Sequence, residues 1–343
     1  MKKTFLALVF FLATLRLAKT KRIDASLDWP AMAAIGPDGQ VKFHGDNSHG
    51  QSGYSTPNNM GVMSPTTVKG FPTMPINGSA VDVSVGTNYT SVVTSDGRLH
   101  TFGAPPDTFP SSGLVSVAST CHGSNLDVII FENLTAVVYP HACISINCTR
   151  SLENVTQVAC GCDHALALAD DGAVYTWGGN DYGQLGRMGY DSASWNKIPE
   201  IGDAIFVEAG CMTSAAISSS GSLYTWGKNS VNQLGHHYDG FAYSGETVTF
   251  DNVTLEEMSV VLFPNTKATS VSMSRYHSCF VVDNGFSRCF GYRMAGSIDS
   301  MNNPASSLAN FPTSHPWMKD LNFTENDTVT LLSRYVVFER EAR

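Results

Sequence analysis

Apolar and polar positions along this chain alternate in short runs, and the runs come back. From His164 to Gly186 the sequence reads HALALADDGAVYTWGGNDYGQLG. Alternating residues lead to Asp171-Gly172, alternate again, and close on two glycines around Gln184-Leu185. A period of two marks a strand with one buried face, and Asp-Gly between two such runs predicts a hairpin. Glycine suits that turn because the turn needs a positive φ. Residues 214–235 repeat the pattern as SAAISSSGSLYTWGKNSVNQLG.

In full, the copies stand at 31–53, 81–105, 115–139, 157–186, 206–235 and 269–296, and 328–341 opens one more. Each predicts a first strand ending in Gly or Ser, a two-residue loop, a second strand, a glycine turn and a third strand. The third strand ends in an aromatic-Gly pair: Phe102-Gly103, Trp177-Gly178, Trp226-Gly227 and Phe290-Gly291, with His44-Gly45 in the first copy. Compact turns at 50–53, 183–186 and 232–235 then lead to an outer strand. One such sheet cannot bury both faces, whereas sheets stacked around an axis cover one another. The expected fold is all-β, a β-propeller of six or seven blades built from antiparallel sheets. Six result if the terminal strands merge into one blade, seven if they stay apart. Residues 26–343 are expected to form this single domain, with the repeated aromatic wedged between neighbouring sheets. Segments 54–79 and 236–267 are expected to protrude as loops.

These residues resemble the regulator of chromosome condensation repeat. Gly161-Cys162-Asp163-His164 matches its Gly-x-x-His loop, followed by Asp171-Gly172, Trp177-Gly178-Gly179-Asn180 and Gly183-Gln184-Leu185-Gly186. At 206–235 Thr213 replaces the His; the likeness is partial at 31–53 and 268–296 and weak at 115–139. The resemblance implies that loops between the first two strands line one face around a central channel. Here these are Thr87-Asn88, Thr120-Cys121, Cys162-Asp163, Cys211-Met212 and Arg275-Tyr276. Asn88, Asp163, Met212, Arg275 and Tyr276 are the expected contacts to a protein partner, since acid, aromatic, Arg and Met suit an interface. His122, His164 and His277 read as one recurring repeat position with a structural hydrogen-bonding role. Similar proteins include a nucleotide exchange factor for a small GTPase, ubiquitin-ligase modules and a secreted inhibitor of β-lactamases, and the fold alone chooses none of these.

The N-terminus changes the picture. In MKKTFLALVFFLATLRLAKTKRIDA, Lys2 and Lys3 precede an apolar run from Phe5 to Leu15. That is the pattern of a secretory signal peptide, expected over 1–25, with Ala18 or Ala25 as its end. The run is too short for a comfortable membrane span. Net charge is -9 for the whole chain. An acidic body repels phosphate backbones, so nucleic acid is not an expected partner. Sequons for N-glycosylation occur at Asn77, Asn88, Asn133, Asn147, Asn154, Asn252, Asn322 and Asn326. The chain has 8 cysteines, which permits disulfides in an oxidising compartment. Cys143–Cys148 and Cys279–Cys289 are the candidate pairs, the second lying across a hairpin turned at Asn284-Gly285. No C-x-x-C spacing, Gly-x-Ser-x-Gly elbow or phosphate-cradling loop occurs, so no metal, cofactor or catalytic residue is expected. The expected function is a non-catalytic secreted binding module for protein or surface-ligand recognition. The alternative is an intracellular guanine-nucleotide exchange factor or scaffold.

Overall fold

The structure, a computed structural model, describes residues 23–26, 31–54, 73–110, 113–142, 149–187, 194–231, 233–234, 256–257, 267–283, 287–291, 328–332 and 335–339. Their regular elements are all strands, in seven antiparallel sheets that follow one another along the chain. Sheet one holds β1 (Ile23–Ala25), β2 (Ala31–Ile35) and β3 (Val41–Gly45). Sheet two holds β4 (Ala80–Val85), β5 (Tyr89–Thr94) and β6 (Leu99–Gly103). Sheet three holds β7 (Val117–His122), β8 (Leu126–Phe131), β9 (Ala136–Pro140) and β10 (Arg150–Leu152). Sheet four holds β11 (Val155–Cys160), β12 (His164–Ala169), β13 (Val174–Gly178) and β14 (Asn196–Lys197). Sheet five holds β15 (Ala204–Ala209), β16 (Thr213–Ser218), β17 (Leu223–Gly227) and β18 (Glu256–Glu257). Sheet six holds β19 (Ala268–Met273), β20 (His277–Val282) and β21 (Ser287–Gly291), and sheet seven holds β22 (Thr328–Leu332) and β23 (Tyr335–Glu339).

The first strand of each sheet packs against the next sheet, and β22 lies against β1, which closes the ring. Among the described residues the terminal strands stay in separate sheets, which makes seven sheets in the ring. Ile23–Ala25, expected inside the leader, form β1 and pair with β2 as Ile23↔Ala34 and Ala25↔Met32. The Asp24 carboxylate also reaches sheet two, accepting from the Val85 N–H at 2.8 Å and the Ser84 hydroxyl at 3.1 Å. A leader ending at Ala18 leaves this strand intact, whereas one ending at Ala25 removes it.

Two recurring devices hold the sheets together. The first is apolar. Trp177 shares a buried cluster with Val128 and Val138 of sheet three, and Trp226 shares one with Leu166, Leu168 and Ile198 of sheet four. Each indole is thus wedged between its own sheet and the one before. The second device is a rim of backbone hydrogen bonds. In sheets two, three, five and six the first N–H of the inner strand donates to the glycine-turn carbonyl of the preceding sheet: Ala80 to Gly39, Val117 to Gly97, Ala204 to Gly172 and Ala268 to Gly221, all at 2.8–2.9 Å. This is why the turn needs glycine twice over. Gly172 has φ +86, and a side chain there would run into the backbone of Gly202 and Asp203. In sheet three the equivalent acceptor is Leu134, at φ +62, which takes the Val155 N–H at 2.8 Å.

Sheet three also corrects the register expected at 115–139. β7 continues through His122, so Thr120 and Cys121 lie inside a strand and the loop is 123–125. His164 and His277 begin second strands, whereas His122 ends a first strand. The three histidines do not share a position; Leu126 fills the His place, and Gly123 marks the loop.

Candidate functional site

Loops 86–88, 123–125, 161–163, 210–212 and 274–276 sit where inner strands pass into second strands, at the end of the ring away from the glycine turns. They adjoin. The Asn125 N–H donates to the Cys162 carbonyl and the Cys162 N–H to the Cys211 carbonyl, both at 2.8 Å. In the first four of these loops the last residue is pinned by its own third strand: the carbonyls of Asn88, Asn125, Asp163 and Met212 accept from the N–H groups of Ala104, His141, Gly179 and Lys228 at 2.8–3.0 Å. This explains the aromatic-Gly pair. Gly178 has φ +110, and a Cβ there would meet the Asp163 carbonyl.

The Gly-Gln-Leu-Gly turn is built on the same rim by buried amides. In sheet four, Asn180 Oδ1 accepts from the Leu185 N–H at 2.9 Å and Gln184 Oε1 from the Tyr182 N–H at 2.8 Å. Asn229 and Gln233 repeat this in sheet five, at 3.0 Å each. The Gln184 carbonyl then receives two donors from sheet five, Ser214 Oγ at 2.8 Å and Trp226 Nε1 at 3.0 Å. Gln184 Nε2 donates to Asp163 Oδ1 at 3.2 Å and lies 3.8 Å from Met212 Sδ. The structure therefore brings Asp163 and Met212 together across one seam. Burial alone would raise the Asp163 carboxyl, but hydrogen bonding and charge from His164, with the Gln184 amide, hold it below its ordinary value. Arg275 and Tyr276 are exposed on the next loop, the guanidinium carbon 5.7 Å from the ring centre. Asn88 is half-buried in the sheet-two loop, separated in ring order from Asp163 by loop 123–125.

Two disulfides brace this rim. Cys121–Cys160 joins the inner strands of sheets three and four, and Cys162–Cys211 joins the loops of sheets four and five. Neither was among the expected pairs. The readable signal was positional: all four cysteines fall at the first-strand ends or loops of three successive copies. Of the expected pairs, Cys143 and Cys148 lie outside the described residues. Cys279 is disulfide-bonded and opposes Cys289 in register; the Cys289 side chain lies outside the described residues.

A second assembly escaped the sequence reading. Between sheets two and three, Ser91 Oγ lies 2.6 Å from His122 Nε2, and His122 Nδ1 lies 2.9 Å from Asp127 Oδ1. The other Asp127 oxygen is 2.8 Å from His141 Nε2, and His141 Nδ1 meets the Ser124 carbonyl at 3.0 Å. The Tyr89 hydroxyl is 3.0 Å from His122 Nδ1, and Phe109 packs edge-on over the His122 ring at 5.1 Å. The connectivity is that of a Ser-His-Asp triad. Ser91 and Asp127 are nevertheless 0% exposed and His122 only 6%, so the hydroxyl is closed off from solvent in this structure. What the arrangement can do is hold protons in place and tie two sheets. Burial would raise the Asp127 carboxyl, but the charge and hydrogen bonds of His122 and His141 outweigh it and hold it below the ordinary carboxylate value. Burial, then the neighbouring Asp127 carboxylate, push the Tyr89 phenol well above 10. Among the described residues no cluster of His, Cys, Asp and Glu could hold a metal ion, and no helix is long and apolar enough to cross a membrane.

Residues 155–184, 171–217 and 220–281 match models of the regulator of chromosome condensation (RCC1) repeat. The chain is 28% identical over 163 residues to human E3 ubiquitin-protein ligase HERC2, covering 47% of this chain and 3% of that protein. To the regulator of chromosome condensation of Xenopus laevis it is 27% identical over 154 residues, covering 45% of this chain and 30% of the relative. It thus spans under a third of the length of either relative. Among solved structures, yeast RCC1 (Prp20) bound to Kap60 has a similar fold, with TM-score 0.57 and 16% identity over 80% of this chain and 71% of the other.

Proposed function

We propose that this chain is an exported, non-catalytic propeller that binds another protein through the loop rim around Asp163, Met212, Arg275 and Tyr276. One observation carries the reading: the rim that would face a partner is braced by two disulfides joining three successive sheets. Disulfides of this kind persist in oxidising compartments, which agrees with the leader-like N-terminus. Tyr276, 45% exposed beside Arg275, supplies the aromatic and cationic anchors common at protein interfaces. The buried Ser91 favours binding over catalysis, and the net charge of -9 disfavours a nucleic-acid partner.

The test begins with secretion from eukaryotic cells and capture of a partner from the extracellular fluid. Affinity for that partner is then measured for Tyr276→Ala, Arg275→Ala and Met212→Ala, each checked for an unchanged unfolding midpoint. Loss of binding is expected; unchanged affinity in all three refutes the rim assignment. A second reading, an intracellular exchange factor or scaffold, is favoured by the similarity to the Xenopus regulator. It predicts accelerated nucleotide release from a small GTPase and cytosolic retention of the chain.

A further inference from the structure

The sequons among the described residues divide between the two ends of the ring, and the division is not visible in sequence order. Asn133 stands in the turn between β8 and β9, and Asn154 immediately precedes β11. Both are exposed. They flank one inter-sheet hydrogen bond, from the Val155 N–H to the Leu134 carbonyl at 2.8 Å. Asn154 adopts φ +61, a conformation that Asn tolerates better than most residues. Asn133 Oδ1 accepts from the Thr135 N–H at 3.1 Å, which shapes the sequon as a local turn. Asn77, also exposed, lies just before β4 on the same glycine-turn rim.

Asn88 differs in each respect. It is on the opposite, loop rim and is half-buried. Its carbonyl is held by the Ala104 N–H at 3.0 Å and packs against Gly103 closely enough to exclude a side chain there. The sequon hydroxyl residue, Thr90, is 0% exposed.

We infer that the chain carries N-linked glycans on the glycine-turn rim, at Asn77, Asn133 and Asn154, and leaves the loop rim at Asn88 bare. The inference rests on the export reading. In the modification, the Asn Nδ2 displaces the pyrophosphate of a lipid-pyrophosphate-linked oligosaccharide. The bond from Nδ2 to the anomeric carbon forms, the anomeric C–O bond breaks, and the lipid pyrophosphate leaves as Nδ2 gives up one proton. Transfer to the extended chain is compatible with folding only where the finished ring leaves the Asn in solvent. Bulky, hydrated sugar at Asn133 and Asn154 covers the seam of sheets three and four from below, and the loop rim stays open to a partner.

The experiment uses the full chain in glycosylation-competent cells, in two forms: with its own N-terminus, and with residues 1–18 replaced by an established secretory leader. Glycans are removed enzymatically in heavy-oxygen water, and each Asn is scored by its mass shift. With forced entry the labelled shift is expected at Asn77, Asn133 and Asn154 and is expected to be absent at Asn88. Occupancy at Asn88 equal to that at Asn133, or bare Asn133 and Asn154 in the forced-entry form, overturns the inference. The forced-entry pattern without any label on the native form overturns the inference together with the export reading, whereas a label on the native form in any other pattern overturns the inference and leaves the export reading standing.

Discussion

The seam between sheets four and five and the seam between sheets two and three use the same strands and different chemistry. At the four–five seam, Leu166 and Val174 meet Val207 and Trp226, and the Gln184 turn receives Ser214 and the Trp226 indole. At the two–three seam a buried His-Asp pair replaces that turn, lined by Tyr89, Ser91 and Phe109. One inner-strand position is common to both. Gln157 there pairs with both backbone groups of Val207, and Asp82 there accepts from the Thr120 N–H at 3.0 Å and the Ser119 hydroxyl at 3.1 Å. The difference teaches that the ring demands a satisfied seam and accepts more than one way of satisfying it. Sheet three departs most from the repeat, and its other seam shows a consequence. Among the described residues the buried Trp177 Nε1 has no hydrogen-bond partner, where Trp226 Nε1 has the Gln184 carbonyl.

The largest expected effect separates the buried Asp127 from the half-buried Asp163. Asp127→Ala is expected to lower unfolding free energy by about 3–5 kcal/mol, because it removes the carboxylate shared by His122 and His141 and leaves a buried void. Asp163→Ala, whose side chain keeps 22% of its surface in water, is expected to cost about 1 kcal/mol. Urea unfolding measures both, and equal losses would erase the contrast between the seams. Next, replacing Cys162 and Cys211 by Ser is expected to cost about 2–4 kcal/mol, since their bond restricts the unfolded chain. Treating the unaltered protein with a thiol reductant should cost more, since it also opens Cys121–Cys160.

The acid response sharpens the comparison further. The folded-state value of Asp127 lies below its unfolded value of about 3.9. Its contribution is therefore whole above that pH and is lost as pH falls through the folded value. Asp127→Asn should flatten the stability profile below about pH 4, read by chemical unfolding over falling pH. The smallest effect concerns the two indoles. Trp226→Phe is expected to cost about 1 kcal/mol more than Trp177→Phe, because only the former gives up a hydrogen bond. Equal costs would mean that the Gln184 carbonyl adds nothing to that seam.

Much of this was legible in the residues. The strands around Asp171-Gly172 and Ser220-Gly221 follow from alternation and turn chemistry, which act over a few neighbours. Their repetition implied a ring. The worn copy misled because His122 mimics the repeat histidine, although Gly123 three residues before Leu126 carried the true register. The His122–Asp127–His141 relay was out of reach, since Asp127 is an ordinary polar residue of an alternating strand until His141 arrives from the third strand. Cys121 and Cys160 stand 39 residues apart. Only the closing of sheet three on sheet four brings their Cα atoms within 5.7 Å.

By itself, then, the chain's order of residues determined the hairpins, their glycine turns and the aromatic at each third-strand end, because local backbone preferences and side-chain alternation need no distant partner. Tertiary structure alone decided the number of blades, the disulfide partners, the buried relay and which rim each sequon occupies. Those depend on which strand lies beside which, and that is set by seven sheets jointly burying one another's faces.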